Sequence, residues 1–337
     1  MGTPPEVRSA AGRTITLDTV QDAARHIYRA AVRTPLVRLD VPGVTRRVLG
    51  DDRPLEIYLK LETLQPIGSF KIRGAYNAVR QLPDAQLRQG VWTVSAGNAA
   101  QGVALAARLS GAACSVMVIE TAPETKIRAI EALGAKIVKA SYDEAWETIQ
   151  AGSSPRMEGV FVHPFDDDHF ISGNGTIGLE ILEDLPDVDA IVAPLGGGGL
   201  LSGIACAVRA LRPQAKVFAA EPITAAPLWH SLGKGAPEYF PGWQATFVDG
   251  AGGKSVLPTM WPLLSEWLEG SLVVTLDEVS DAIKTVEERI HVIAEGAAGC
   301  AAAAALTGKA GGGKVVAVVS GGNIDLSRFA AVTGACP

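Results

Sequence analysis

The chain has 337 residues, of which 47% are hydrophobic and 20% charged, with a formal net charge of -6. This composition excludes a disordered chain, and the acidic balance argues against a nucleic-acid partner, which needs a basic face. At roughly 100–200 residues per domain, the length predicts two domains.

Cys114, Cys206, Cys300 and Cys336 stand far apart in the chain, without a Cys-x-x-Cys pair. They read as free thiols in a reducing compartment, and the scattered histidines give no zinc spacing. The opening Met1-Gly2-Thr3-Pro4-Pro5 has no apolar run, so no secretory leader is expected. The Ala-rich stretch 297–305 is too short for a bilayer, which takes about 20 apolar residues. A cytoplasmic protein with no membrane partner is expected.

From about residue 90, short apolar runs alternate with amphipathic helical patterns. Strands are predicted at 91–94, 115–119, 136–139, 160–163, 190–194, 217–220 and 315–319. Helices are predicted at 99–109, 123–133, 142–150, 175–185 and 200–211. Gly111, Gly134 and Gly152 follow helical patterns as helix-ending glycines do. Strands alternating with helices imply βαβ units and parallel sheets. Residues 225–262, rich in Pro, Gly and Trp, break the rhythm and read as a long irregular excursion.

Four stretches carry candidate chemistry. Gly196-Gly197-Gly198-Gly199 lies between a predicted strand and a predicted helix, where bare N–H groups and the helix N-terminus favour a phosphate. A tight turn alone needs fewer glycines. Gly197 and Gly199 also begin a dinucleotide pattern, with Glu221 at the distance of a ribose-binding acid. Position 202, however, is Ser where a third glycine belongs. Two P-loop near-matches fail: Val315 follows Lys314 where Ser or Thr is needed, and Val248 replaces the leading glycine before Lys254. Lys71 in Gly68-Ser69-Phe70-Lys71 opens an apolar segment, where desolvation lowers an amine's pKa and favours a Schiff base. Ser95-Ala96-Gly97-Asn98 and Ser320-Gly321-Gly322-Asn323 both follow predicted strands, where ligands of open α/β sheets bind. Ser95 and Asn98 also suit ordinary helix caps.

Together these stretches resemble the fold-type II pyridoxal-phosphate enzymes, in particular the serine/threonine dehydratase and serine racemase group. The segment Lys60-Leu61-Glu62 through Gln65-Pro66-Ile67-Gly68-Ser69-Phe70-Lys71-Ile72-Arg73-Gly74-Ala75 carries the most specific likeness. It continues through Gly173-Asn174-Gly175-Thr176 and Ala220-Glu221-Pro222. The resemblance implies an α/β, tryptophan-synthase-β-like fold of two domains, each a mainly parallel sheet flanked by helices. Residues 1–89 and 168–337 would form a large cofactor-binding domain, and 90–167 a small mobile one.

By the same resemblance, Lys71 would hold pyridoxal 5'-phosphate as a Schiff base and act as the base at Cα. Phe70 would lie against the cofactor ring and Asn98 would bond its hydroxyl. Gly196, Gly197, Gly198 and Gly199 with the Leu200 amide would hold the phosphate, and Ser320 would meet the ring nitrogen. Ser95, Ala96, Gly97 and Ala99 would line the substrate, a small amino acid. Such a site implies loss of water from serine, threonine or a related β-hydroxy amino acid, giving a 2-oxo acid and ammonia. A homodimer or homotetramer is expected.

The chain departs from the family pattern in places. Ala99 stands where His is usual, leaving room for a larger or acidic β-substituent such as that of phenylserine or 3-hydroxyaspartate. Ala96 stands where racemases carry a second serine, which disfavours racemisation. Asn174 replaces a usual Gln, and Gly296 a frequent Pro after Glu295. Pro227 occupies the place of a carboxylate in metal-binding members, so no metal site is expected. With Pro337 soon after the core, no C-terminal regulatory domain is expected. The rival readings are a β-replacement enzyme or synthase, a nucleotide-cofactor oxidoreductase, and a catalytically weak regulatory or binding paralogue.

Overall fold

The computed structural model describes residues 12–40 and 51–334; the Met1–Pro5 stretch and Cys336 lie outside them. Among the described residues, ten strands form two sheets. They are β1 (Leu36–Arg38), β2 (Leu55–Leu61), β3 (Val91–Val94), β4 (Cys114–Ile119), β5 (Lys136–Ala140), β6 (Val160–Phe161), β7 (Ala190–Pro194), β8 (Lys216–Pro222), β9 (Gly270–Val274) and β10 (Gly313–Val319). The six-stranded sheet runs β1-β2-β10-β7-β8-β9 and the four-stranded one β5-β4-β3-β6. All pairings are parallel except β1 with β2. Helices flank the sheets, so central strands are buried on both faces and read as unbroken apolar runs, as in β7 and β10. The architecture is the α/β, mainly parallel one that the sequence implies.

The differences have local causes. The helix predicted at 175–185 begins seven residues earlier and spans Asp168–Asp184, with the Asp167 side chain accepting the Phe170 N–H (2.7 Å) as its cap. Its glycines look like breaks in a sequence, but they are close-packing positions. A Cβ at Gly173 would lie 2.5 Å from the Arg73 carbonyl oxygen, and one at Gly175 2.8 Å from that of Gly203. The strand predicted at 160–163 stops at Phe161, because His163 turns the chain by accepting backbone N–H groups. The 225–262 excursion contains a helix, Pro227–Lys234, with proline in its first turn, before irregular chain leads to the helix Trp261–Trp267. The Ala-rich stretch forms the helix Gly296–Leu306, buried on all sides between the helix Leu276–Ile290 and the six-stranded sheet.

Beneath the lysine segment lies a buried ion cluster. Arg73 forks onto both oxygens of Glu62 (2.8 and 2.8 Å) and both of Glu180 (2.6 and 2.9 Å). Lys60 Nζ pairs with Glu180 (2.6 Å) and donates to the Thr34 carbonyl (2.6 Å). Burial works against the charge of both Arg73 and Glu180. Their mutual attraction nevertheless raises the guanidinium further and holds the Glu180 carboxyl below the usual range. Arg73→Met leaves Glu62 and Glu180 buried without their fork. It is expected to lower the free energy of unfolding in urea by about 3–5 kcal/mol.

Candidate active site

The chemical motifs lie past the carboxyl ends of parallel strands. Here the helix that follows leaves its first N–H groups unpaired, and ligands of α/β sheets are bound. Lys71 and Ser320 come from neighbouring strands, since Leu61 at the end of β2 pairs with Val319 at the end of β10. Beyond those ends the two loops are joined. Ser69 bridges Gly321, the Phe70 N–H donates to the Ser320 carbonyl (3.0 Å), and the Gly322 N–H donates to the Gly68 carbonyl (2.9 Å). Gly68 adopts φ +70°, and a Cβ there would lie 2.7 Å from Asn323 Oδ1, so this turn requires glycine.

Lys71 opens the helix Lys71–Arg80. Its Nζ donates to the Pro164 carbonyl (2.7 Å) and lies 5.3 Å from the ring centroids of both Phe70 and Phe170. Burial pushes the amine down to about 8, while the Glu295 carboxylate pulls it upward. An amine in that range is available as nucleophile and base near neutral pH.

Asn98 approaches from the four-stranded sheet, at the start of the helix Asn98–Leu109. Gly102 lets that helix close on the lysine helix, where a Cβ would lie 3.1 Å from the Lys71 carbonyl oxygen. Asn98 Nδ2 donates to Glu295 Oε1 (2.7 Å), and Asn323 Nδ2 donates to Asn98 Oδ1 (2.7 Å). Burial, reinforced by the charge of Asp249, raises the Glu295 carboxyl to about 7. Ser95 Oγ accepts the Gly97 N–H (3.1 Å), and no side chain caps this helix, so neither Ser95 nor Asn98 is an ordinary cap. A Cβ at Gly97 would meet nothing within 4 Å. Ala96 is partly buried, and Ala99 is buried in the first helical turn.

The glycine loop follows β7 and opens the helix Gly199–Leu211, whose N-terminus also lacks a side-chain cap. Gly198 adopts φ +92°. A Cβ would lie 2.1 Å from the Phe165 ring at Gly197, 2.5 Å from the Phe165 carbonyl oxygen at Gly199, and 2.8 Å from that of Gly250 at Gly196. These glycines let Phe165 and Gly250 pack close on the loop, and with no side-chain cap the first-turn N–H groups, Leu200 included, are left for an anion. Ser69 Oγ is buried without a hydrogen-bond partner, and Ser320 is buried at the end of β10. An anion cradle, a desolvated amine, an anchored amide and buried hydroxyls together fit a phosphorylated aromatic aldehyde.

A family model described as "Pyridoxal-phosphate dependent enzyme" matches residues 27–321. The chain belongs to that family. Its cofactor is pyridoxal phosphate. An L-threonine ammonia-lyase of Thermotoga maritima is 40% identical over 318 residues, covering 94% of this chain and 77% of the relative. Human serine racemase is 40% identical over 297 residues, covering 85% of this chain and 86% of that one. The solved structure of maize serine racemase matches with a TM-score of 0.83 and 31% identity, over 94% of this chain and 95% of that chain. This pyridoxal-phosphate enzyme is thus of the threonine/serine type. Among the described residues no helix is long and apolar enough to cross a membrane.

The dinucleotide reading fails on Glu221 as well as on family. Glu221 is fully buried; Oε1 accepts the Leu228 N–H (2.9 Å), and Oε2 accepts the Trp229 N–H (2.8 Å) and the Ser271 hydroxyl. It caps the helix Pro227–Lys234 and is not free for a ribose. Sequence reasoning missed Glu295, Pro164 and Phe165. The strand-end rule, applied to the residues after β6, is the one signal that could have found the last two.

Two outcomes are expected. Gly199→Ala drives a methyl against the Phe165 backbone. At about 1–3 kcal/mol for overpacking, pyridoxal phosphate titrated into the cofactor-free protein should bind roughly 5- to 150-fold more weakly. Folded Glu295 keeps its proton up to about pH 7, whereas an ordinary glutamate loses it near 4.5. Its contribution to stability is therefore fully present below pH 4.5 and is lost as pH rises through 7. In Glu295→Gln, urea melts across that interval should show a shallower fall in unfolding free energy.

Proposed function

We propose that the protein is an ammonia-lyase that removes water from a β-hydroxy amino acid to give a 2-oxo acid and ammonia. The observation that carries this reading is the desolvated amine of Lys71, with alanine at position 96, where racemisation would call for a second proton-transfer group. Pyridoxal phosphate, when bound, supplies the electron sink for the charge left at Cα.

The chain's own groups divide the remaining work. Gly196 to Gly199 and the Leu200 N–H would hold the phosphate, and Phe70 would pack along the ring. Ser320 would present a neutral hydroxyl to the ring nitrogen, which would favour prompt elimination over transamination. The Asn98 amide, which Glu295 and Asn323 hold, would bond the ring hydroxyl. Ser95 and the N–H groups of residues 96–99 take the substrate carboxylate. Lys71 would hold the cofactor by its aldehyde, and its Nζ, when free, would take the Cα proton of the substrate. As the electron pair left at Cα breaks the bond to the β-hydroxyl, Nζ would return its proton to that oxygen, which leaves as water; the released enamine tautomerises to an imine, and one water hydrolyses it to the 2-oxo acid and ammonia. Ala99 admits a substituent larger than a methyl group. The proposal includes a small mobile unit at 90–167 against a large one at 1–89 and 168–337, and a cytoplasmic homodimer or homotetramer.

The test is a panel of L-serine, L-threonine, threo-3-hydroxyaspartate and phenylserine, assayed for 2-oxo acid, ammonia and the D-enantiomer. Equal amounts of 2-oxo acid and ammonia are expected. A D-amino acid as the main product, without 2-oxo acid, would contradict the reading. Lys71→Ala should lower turnover by roughly 10²–10⁴-fold from loss of the base alone.

A further inference from the structure

Four aromatic rings run in file from the four-stranded sheet to the glycine loop. Ring centroids are 4.4 Å apart for Trp92 and Phe161, 5.5 Å for Phe161 and His163, and 4.6 Å for His163 and Phe165. His163 alone among them titrates near neutral pH in water. Its Nδ1 accepts two backbone N–H groups, from Asp166 (2.8 Å) and Phe165 (3.3 Å). A ring nitrogen that accepts carries no proton, so the imidazole is neutral.

These two bonds fold residues 163–166 into a turn with three outward contacts. The Pro164 carbonyl holds Lys71 Nζ (2.7 Å). Phe165 packs on the glycine loop, its ring against Gly197 and its carbonyl against Gly199. Asp166 pairs with Arg13 (2.6 Å) and accepts the Thr259 hydroxyl (2.5 Å). One short turn therefore touches both the lysine amine and the phosphate cradle.

We propose that His163 is a positioning residue for Lys71. By accepting the Phe165 and Asp166 N–H groups, it fixes the turn that holds the amine at Pro164 and seats Phe165 against the glycine loop. This role rests on the reading of Lys71 given above and deepens it. The charged groups facing the ring are Asp166 on the same turn, Lys71 from the helix Lys71–Arg80 and Arg13 from the N-terminal segment; the Ile149 carbonyl faces it from the helix Tyr142–Ala151. Burial pushes the imidazole down to about 4, aided by Lys71 and Arg13 and opposed by Asp166 and Ile149. The ring thus remains an acceptor throughout the neutral range.

The test compares His163→Asn, whose amide oxygen can replace Nδ1 as acceptor, with His163→Leu, which fills space without one. Both are loaded with pyridoxal phosphate and read by pH titration of cofactor absorbance and by kcat and KM. Thermal denaturation of the cofactor-free proteins is measured alongside. His163→Leu is expected to move the absorbance titration by about one pH unit and to lower kcat by roughly 10- to 100-fold, as a displaced catalytic group does, with KM little changed. His163→Asn should recover most of both losses. Should His163→Leu not fold, His163→Phe keeps the file of rings without the acceptor and carries the same expectation. A titration and kcat unchanged in the acceptor-free variant would overturn the role, as would a His163→Asn variant equally impaired. If Lys71→Ala leaves the wild-type absorbance titration intact, the reading of Lys71 fails, and the role of His163 with it.

Discussion

Two cations and two carboxylates are buried together behind the site, and the position of Lys71 depends on them. Lys60, Glu62, Arg73 and Glu180 sum to zero charge, and their fork geometry is satisfied in one packing. Buried pairs of this kind add little over an apolar core, but removing any one member strands the others. The helix Lys71–Arg80 cannot rotate or slide without opening the Arg73 fork, and Lys71 is its first residue. The lysine signature is therefore largely structural: three of its charged residues, Lys60, Glu62 and Arg73, hold the helix that Lys71 opens.

The same constraint shapes the electrostatics in front. Lys71 meets Phe70, Phe170 and a backbone carbonyl in place of solvent, so its amine is pushed down to about 8. Glu295, equally enclosed, is pushed up to about 7. Desolvation thus brings an amine and a carboxyl into one pH range, and the Glu295 charge partly offsets the fall of the Lys71 amine. Close helix crossings at Gly102, Gly173 and Gly175 bring the elements of both sheets near enough for this to happen.

Much of this was legible in the sequence because local chemistry writes it there. Four consecutive glycines between a strand and a helix announce a cradle, and the Lys71 segment has few other uses. Alternating strands and helices announce parallel sheets. What was hidden depends on contacts distant in sequence. Glu295 matters because it faces Asn98, 197 residues away, and nothing at position 295 says so. Arg73 and Glu180 are 107 residues apart. Glu221 stood at a plausible distance for a ribose-binding acid, yet tertiary packing spends it on a helix N-terminus. Gly173 and Gly175 concealed a helix start because a glycine that permits close packing looks the same in sequence as one that ends a helix.

The central claim is that Lys71 is the covalent anchor of the cofactor. Borohydride reduction of the pyridoxal-phosphate-loaded protein, followed by peptide mapping, tests it most directly. The account predicts a single reduced pyridoxyl group, on the peptide containing Lys71. Label on another lysine, or none in a protein that has bound the cofactor, would contradict it.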